Sequence, residues 1–170
     1  IARRGTMNLV GQRPLDGYAD ADVGRLHYDY IAFLGNQGPD IATSYGEERN
    51  RCELRPNGVA VFIGAGGPMG QMHVQRALEM PDGPKLIVAT EVNQERLDAL
   101  NNRFKPLAEQ NHRILHVINP NEVKPTFYDF VMALTKGQGA DDVVVSVPSA
   151  KLMAEAATLM NPNGMLVLFA

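Results

Sequence analysis

From Gly58 onward the chain alternates between two hydrophobic patterns. Five short runs are apolar almost throughout: "VAVFIG" (59–64), "KLIVATE" (85–91), "ILHVIN" (114–119), "DVVVSV" (142–147) and "GMLVLFA" (164–170). Runs this short, rich in Val, Ile and Leu and without a polar face, predict strands of a parallel sheet covered on both sides. Between them the apolar residues recur at helical spacing. "MGQMHVQRALEM" places Met69, Met72, Ala77 and Met80 near one stripe. "NQERLDALNNRFKPLAE" does the same with Leu97, Leu100, Phe104 and Leu107; Asn93 is its N-cap, and Pro106 is expected to end or kink it. "PTFYDFVMALTKGQG" offers Phe127, Phe130, Val131 and Leu134 with Gly137 as a stop, and "SAKLMAEAATLMNPNG" is capped by Ser149 and closed by the turn "NPNG". Strand and helix therefore alternate, which predicts an α/β fold with a doubly wound parallel sheet. Numbered by appearance, these five strands are expected in the order 3-2-1-4-5.

The first 57 residues follow another pattern. "TMNLVG" and "YDYIAFLG" read as two extra strands, separated by the acidic, turn-rich "PLDGYADADVG". "GPDIATSYGEERNRCEL" predicts a helix that leads into the turn "RPNG". No repeat at solenoid periods is visible.

Composition narrows the class of protein. With 170 residues, 45% of them hydrophobic, the chain can form one domain and part of another with a real core. A net charge of −3 lacks the concentrated positive charge that nucleic acids or anionic membranes call for, and Arg3 and Arg4 read as a solvated end. The single cysteine, Cys52, excludes an intrachain disulfide and fits a reducing cytoplasm. No apolar run approaches the roughly 20 residues of a membrane-spanning helix. "IARRGTMNLVG" lacks an initiator Met and a signal-peptide pattern, so the chain reads as a piece of a longer protein.

Candidate chemistry concentrates in "VFIGAGGPMGQMH", where Gly64, Gly66, Gly67 and Gly70 lie between a strand and a helix. A dinucleotide fold needs glycines there. One makes the tight turn, one lets the backbone approach a pyrophosphate, and one lets helix and strand pack closely, while helix N-terminal amides bind the phosphates. The pattern G-x-G-G-x-x-G is one residue longer than G-x-G-x-x-G. Ala65-x-Gly67-x-x-Gly70 keeps the spacing with Ala in first place; Gly64-x-Gly66-x-x-x-Gly70 fits with one residue added. Glu91 ends the next strand 21 residues past Gly70, where an acid accepts hydrogen bonds from the adenosine ribose and repels a 2′-phosphate. This predicts NAD as cofactor. Arg96, five residues later, could instead meet the 2′-phosphate of NADP.

Together these residues resemble the medium-chain dehydrogenase/reductase family, the zinc-type alcohol and polyol dehydrogenases, from about Thr43 to Ala170. "TSYGEERNRCELRPNGVAVFIGAGGPMG" is similar to the family's helix, turn and first nucleotide-binding strand, and "GAGGPMGQMH" resembles a branch related to sorbose-phosphate reductases. "VINPNEVKPTFYDFVMALTKGQGADDVVVSVPSA" and "LMNPNGMLVLFA" resemble its later strands and turns. The resemblance implies a Rossmann domain in which Gly66, Gly67, Pro68 and Met69 lie at the pyrophosphate, within a cofactor-binding turn that includes Gly64 and Gly70, and Glu91 lies at the ribose. Asn119 and Pro120 would flank the adenine. Val147, Pro148 and Ser149 would approach the nicotinamide, joined by Phe169 and Ala170. It also implies hydride transfer between nicotinamide and a secondary alcohol or polyol substrate. "RGTMNLVGQRPLDGYADADVGRLHYDYIAFLG" is itself similar to the end of such a domain, so residues 1–50 read as the tail of a preceding Rossmann-like unit and 51–170 as a dinucleotide-binding domain. That domain lacks its own sixth strand. Tyr30–Leu34 is therefore expected to pair beside Met165–Phe169, within the chain or across a homodimer.

The catalytic residues are not legible. Cys52 reads as a small buried hydrophobe in a helix, and His27, His73, His112 and His116 show no zinc-ligand spacing. Any zinc would sit in a catalytic domain not represented here, and without that domain the chain is expected to bind cofactor but not to turn over substrate. His73, one turn into the helix after Gly70, could face the cofactor phosphates or another domain, or simply pack on the helix surface. Two other functions share the pattern: a non-catalytic Rossmann-like binding or scaffold module, and an S-adenosylmethionine-dependent methyltransferase. Against the methyltransferase, "VFIGAGG" has no acidic residue before its glycines.

Overall fold

The computed structural model describes residues 1–13, 16–17, 19–36, 38–45 and 51–169. The chain divides into two units, Ile1–Arg51 and Cys52–Ala170.

In the first unit β1 (Thr6–Val10) and β2 (Ala32–Asn36) pair in parallel, from Thr6↔Ala32 to Val10↔Asn36. A parallel pair needs a crossover connection, and α1 (Val23–Tyr28) lies within it. The sequence pattern gave no sign of this helix, because it has no apolar stripe and buries no residue. It is held locally instead. Asp22 caps it by accepting from the Arg25 amide at 3.1 Å, and Arg25 Nε donates to Asp29 at 2.8 Å. The expected pairing of Tyr30–Leu34 beside Met165–Phe169 is not formed within the chain. Tyr30 sits at φ +53, ahead of the strand, and β2 is committed in register to β1 in its own two-stranded sheet. The helix expected over "GPDIATSYGEERNRCEL" is also revised: Ile41–Tyr45 form a 3-10 turn, 46–50 lie outside the described residues, and 51–54 are not helical.

In the second unit strand and helix alternate as the periodicity predicts. The elements are β3 (Val59–Ile63), α2 (Pro68–Glu79), β4 (Leu86–Thr90), α3 (Gln94–Gln110), β5 (Ile114–Ile118), α4 (Phe127–Leu134), β6 (Ala140–Val145), α5 (Ala150–Thr158) and β7 (Met160–Leu168). The strands are parallel in the order β5-β4-β3-β6-β7, which is the expected 3-2-1-4-5. Two cores explain why the strands lack a polar face. Ala60, Phe62 and Ile87 pack with Val74, Leu78, Leu100 and Phe104 of α2 and α3. Val61, Val88, Val143 and Val145 pack on the other face with Val131 of α4 and Ala156 of α5. Fully burying a side chain such as Phe104 contributes roughly 1.5–3 kcal/mol.

The caps at Asn93, Thr126 and Ser149 form, each side chain accepting from an amide three residues on. Gly137 takes φ +79 and closes α4 by donating its amide to the Met132 carbonyl at 2.7 Å. Two expectations are corrected. α3 runs through Pro106 to Gln110, because the flanking Phe104 and Ala108 are buried in the core and hold the last turn in place. "NPNG" is not a turn between elements but lies inside β7, where the register jumps from Ala140↔Met160 to Asp142↔Met165. Asn161 Nδ2 anchors this bulge by donating to Asp141 at 2.9 Å. At the same amino end of the sheet, Asp142 accepts from the Arg55 amide at 2.7 Å and Asp141 from the Val59 amide at 2.9 Å, so these carboxylates fix the start of β3. Among the described residues, no helix is long and apolar enough to cross a membrane.

Candidate functional site

β3 and β6 are neighbours in the sheet, but the helices that follow them, α2 and α5, pack on opposite faces. A crevice opens where such connections diverge, at the carboxyl ends of the strands. Its two lips are the loops after Ile63 and after Val145. They are tied together by the Ser146 amide, which donates to the Ile63 carbonyl at 2.9 Å.

Each glycine of the first lip meets a different constraint. Gly64 has φ +76, and a Cβ there would strike Val147 Cγ2. A Cβ on Gly66 would strike the Glu91 carboxylate. A Cβ on Gly70 would lie 2.6 Å from Ala65 Cα, so α2 crosses the turn at backbone contact. Gly67 differs: a Cβ there would meet nothing within 4 Å. Gly67 is also the N-cap of α2, with Pro68 following and no side-chain cap, so the first-turn amides are left for an outside acceptor. Gly64 thus makes the tight turn, Gly67 leaves the open approach and Gly70 permits the close helix packing, while Ala65 is fully buried with its amide donating to the Thr90 carbonyl at 2.8 Å.

Glu91 is 8% exposed and turns its carboxylate over Gly66. Its Oε1 accepts from the Val92 and Asn93 amides at 2.8 and 3.0 Å. Its Oε2 lies 3.8 Å from Arg96 Nη1, whose side chain is largely exposed. Gln71 was not anticipated from the sequence. Its Nε2 donates to the Gly66 carbonyl at 3.0 Å and its Oε1 accepts from Arg103 at 3.0 Å, so α3 braces the turn through α2. A polar residue four past the N-cap is an ordinary helix position, and only the crossing of the two helices reveals the brace.

On the second lip Val147 lies against Gly64, Pro148 is exposed, and Ser149 caps α5. Phe169 continues from β7, its amide donating to Val145 at 2.8 Å and its ring edge-on to His73 at 5.4 Å. His73 Nε2 is buried without a hydrogen-bond partner among the described residues. Ala170 lies outside the described residues. Beyond β5, Asn119 is occupied in its own turn: Nδ2 donates to Glu122 at 2.8 Å and Oδ1 accepts from the Asn121 amide at 3.1 Å. Between these loops lies a cleft of about 310 Å³, floored by Ile63 and Thr90 and walled by Pro120, Tyr128, Leu152 and Glu155.

Other candidates lie away from the crevice. His116 is a β5 side chain edge-on to Phe130, and His27 likewise meets Tyr28 edge-on in the first unit. His112 takes φ +54 in the turn after α3. Cys52 is exposed and outside any helix, contrary to the buried helical position expected; Leu54, two residues on, is the side chain that packs on the core. Among the described residues no three His, Cys, Asp or Glu side chains cluster as a metal site.

No family model matches the chain. It is 32% identical over 117 residues to L-sorbose 1-phosphate reductase of Klebsiella pneumoniae, covering 69% of this chain and 27% of that protein. It is 25% identical over 162 residues to mannitol-1-phosphate 5-dehydrogenase of Aliivibrio fischeri, covering 92% of this chain and 37% of that protein. It therefore spans only 27% to 37% of the length of the curated relatives it matches. Among solved structures, an alcohol dehydrogenase from a Thermus species superposes with a TM-score of 0.52 at 28% identity, covering 68% of this chain and 30% of that one. Sheet order, glycine turn and these likenesses together support a Rossmann domain of the medium-chain dehydrogenase/reductase type.

Proposed function

We propose that this chain is the dinucleotide-binding part of an NAD-dependent dehydrogenase acting on an alcohol or polyol. One observation carries the reading: Gly67 opens the helix N-terminus to an anion while the buried Glu91 carboxylate stands behind Gly66. Gly64, Gly66, Gly67, Pro68, Met69 and Gly70 would hold the pyrophosphate and Glu91 the adenosine ribose hydroxyls. Asn119 and Pro120 would border the adenine, and Val147, Pro148 and Ser149 the nicotinamide end. The residues present suit this group, because the space a Cβ on Gly67 would fill is clear of protein atoms and faces unspent helix amides. When bound, the cofactor supplies the hydride chemistry; the chain supplies orientation and electrostatics.

NAD is preferred over NADP in this reading because Glu91 repels a 2′-phosphate, and Arg96, its nearest cation, leans on the same carboxylate. A sugar-alcohol substrate is supported by the names of the two curated relatives. The β1–α1–β2 unit is read as the tail of a preceding Rossmann-like domain, supported by its parallel pairing. β7, bonded only on its β6 side among the described residues, offers an edge for a homodimer, which the mass in solution tests. Fluorescence titration with NADH should show saturable binding. No saturation by NADH or NADPH would overturn the reading.

A further inference from the structure

We propose that Arg103 of α3 is a positioning residue for the pyrophosphate: acting through Gln71, it fixes the peptide between Gly66 and Gly67 in the orientation that leaves its amide side to the anion. This rests on the dinucleotide reading above. Two glycines in succession give that peptide no Cβ on either side, so little in its own backbone stops the plane from turning over. Gln71 supplies the restraint. It is half-buried, four residues after Gly67, and its Nε2 donates to the Gly66 carbonyl at 3.0 Å. A trans peptide holds its C=O and N–H on opposite sides, so with the carbonyl drawn to Gln71 the Gly67 amide is turned away from it.

Gln71 does not do this alone. A side-chain amide can present either its oxygen or its nitrogen to a neighbour, and Arg103 removes the choice. Its Nη1 donates to Gln71 Oε1 at 3.0 Å; a guanidinium only donates, so the oxygen faces α3 and the nitrogen faces Gly66. The positive charge also polarises the amide and makes Nε2 a stronger donor. The guanidinium is itself held in place. Its Nη2 donates to Gln75 Oε1 at 2.8 Å, Gln75 Nε2 donates to Glu79 at 2.9 Å, and the Phe104 ring lies 5.1 Å from it. Arg103 is exposed and 32 residues from Gln71 in sequence, so the pattern of neither helix announces the relay.

The test measures NADH affinity by fluorescence titration and stability by thermal unfolding on the same preparations of the 170-residue chain. Gln71→Glu keeps an acceptor for Arg103 and so keeps the two helices bridged, but a carboxylate cannot donate to the Gly66 carbonyl. Its melting temperature should not fall, whereas NADH affinity should drop at least about 10-fold, the effect of one hydrogen bond to a charged group. Gln75→Glu places the same charge on the same helix next to Arg103 without touching the turn, and should leave affinity unchanged. Arg103→Ala should weaken NADH binding about 3-fold or more by freeing the Gln71 amide to turn. Arg103→Lys, which still donates to Oε1, should recover most of that loss. Unchanged affinity in Gln71→Glu or in Arg103→Ala would overturn the proposal. So would equal losses in Gln71→Glu and Gln75→Glu, which would be charge repulsion alone. Each of these outcomes leaves dinucleotide binding intact; absence of saturable NADH binding by the unmodified chain would overturn both readings.

Discussion

Glu91 occupies the space that a side chain on Gly66 would need, and the backbone amides of Val92 and Asn93 hold it there. The turn and the acid that follows the next strand are thus one steric unit. Gly66→Ala should lower stability by about 1–3 kcal/mol, the usual cost of overpacking. Adding Glu91→Ala should restore part of that loss, since it removes the colliding group. Urea unfolding of both single variants and the double variant measures the coupling; purely additive losses would show that the two residues do not compete for space.

Gly67 and Gly70 should separate binding from folding. A Cβ at Gly67 meets nothing within 4 Å, and as an N-cap change Gly67→Val should cost no more than about 1 kcal/mol of stability. Its branched side chain would nevertheless obstruct the amide face of α2, so NADH affinity should fall by at least about 10-fold if one backbone–phosphate contact is lost. Gly70→Ala places a methyl group 2.6 Å from Ala65 Cα, and neither backbone can yield without opening the helix–strand contact. It should cost about 3 kcal/mol. Calorimetry for stability and NADH titration for binding should therefore rank the two variants in opposite orders.

Cofactor choice should follow Glu91. The unmodified chain is expected to bind NADH more tightly than NADPH, and Glu91→Ala should narrow the difference by weakening NADH and relieving repulsion of the 2′-phosphate. Preference for NADPH in the unmodified chain would mean that Arg96 sets the selectivity instead.

Gln71 bridges Arg103 and the Gly66 carbonyl. Gln71→Ala should lose about 0.5–1.5 kcal/mol of stability per hydrogen bond and weaken NADH binding, because the turn is no longer braced. Asp142→Ala provides the contrast. Its carboxylate receives the Arg55 amide at the opposite end of the sheet, so its loss should cost about 1–3 kcal/mol for the buried donor left behind. NADH affinity of the folded fraction should be unchanged. Parallel losses of affinity in both variants would show that the titration reports stability rather than the site.

The order of the second unit was legible in the sequence because both faces of its sheet are buried. Val61 and Phe62 point to opposite cores, so the central strand positions are apolar on both faces, and helices must intervene to cover both sides. Caps such as Asn93 and Ser149 were legible for a similarly local reason: the donor lies three residues from the acceptor. What the sequence alone could not decide were contacts between residues remote along the chain. Two spacings of the glycine turn were compatible with the residues; only the packed structure assigns the turn to Gly64, the open approach to Gly67 and the close contact with Ala65 to Gly70. Pro106 reads locally as a helix end, but the buried side chains on either side of it carry α3 past it. β2 could have completed the main sheet by pattern alone, yet its hydrogen bonds go to β1, because strand pairing depends on partners and crossover geometry rather than on the strand's own composition. The brace of Gln71 and the position of Glu155 at the cleft likewise exist only once helices far apart in sequence are packed on one sheet.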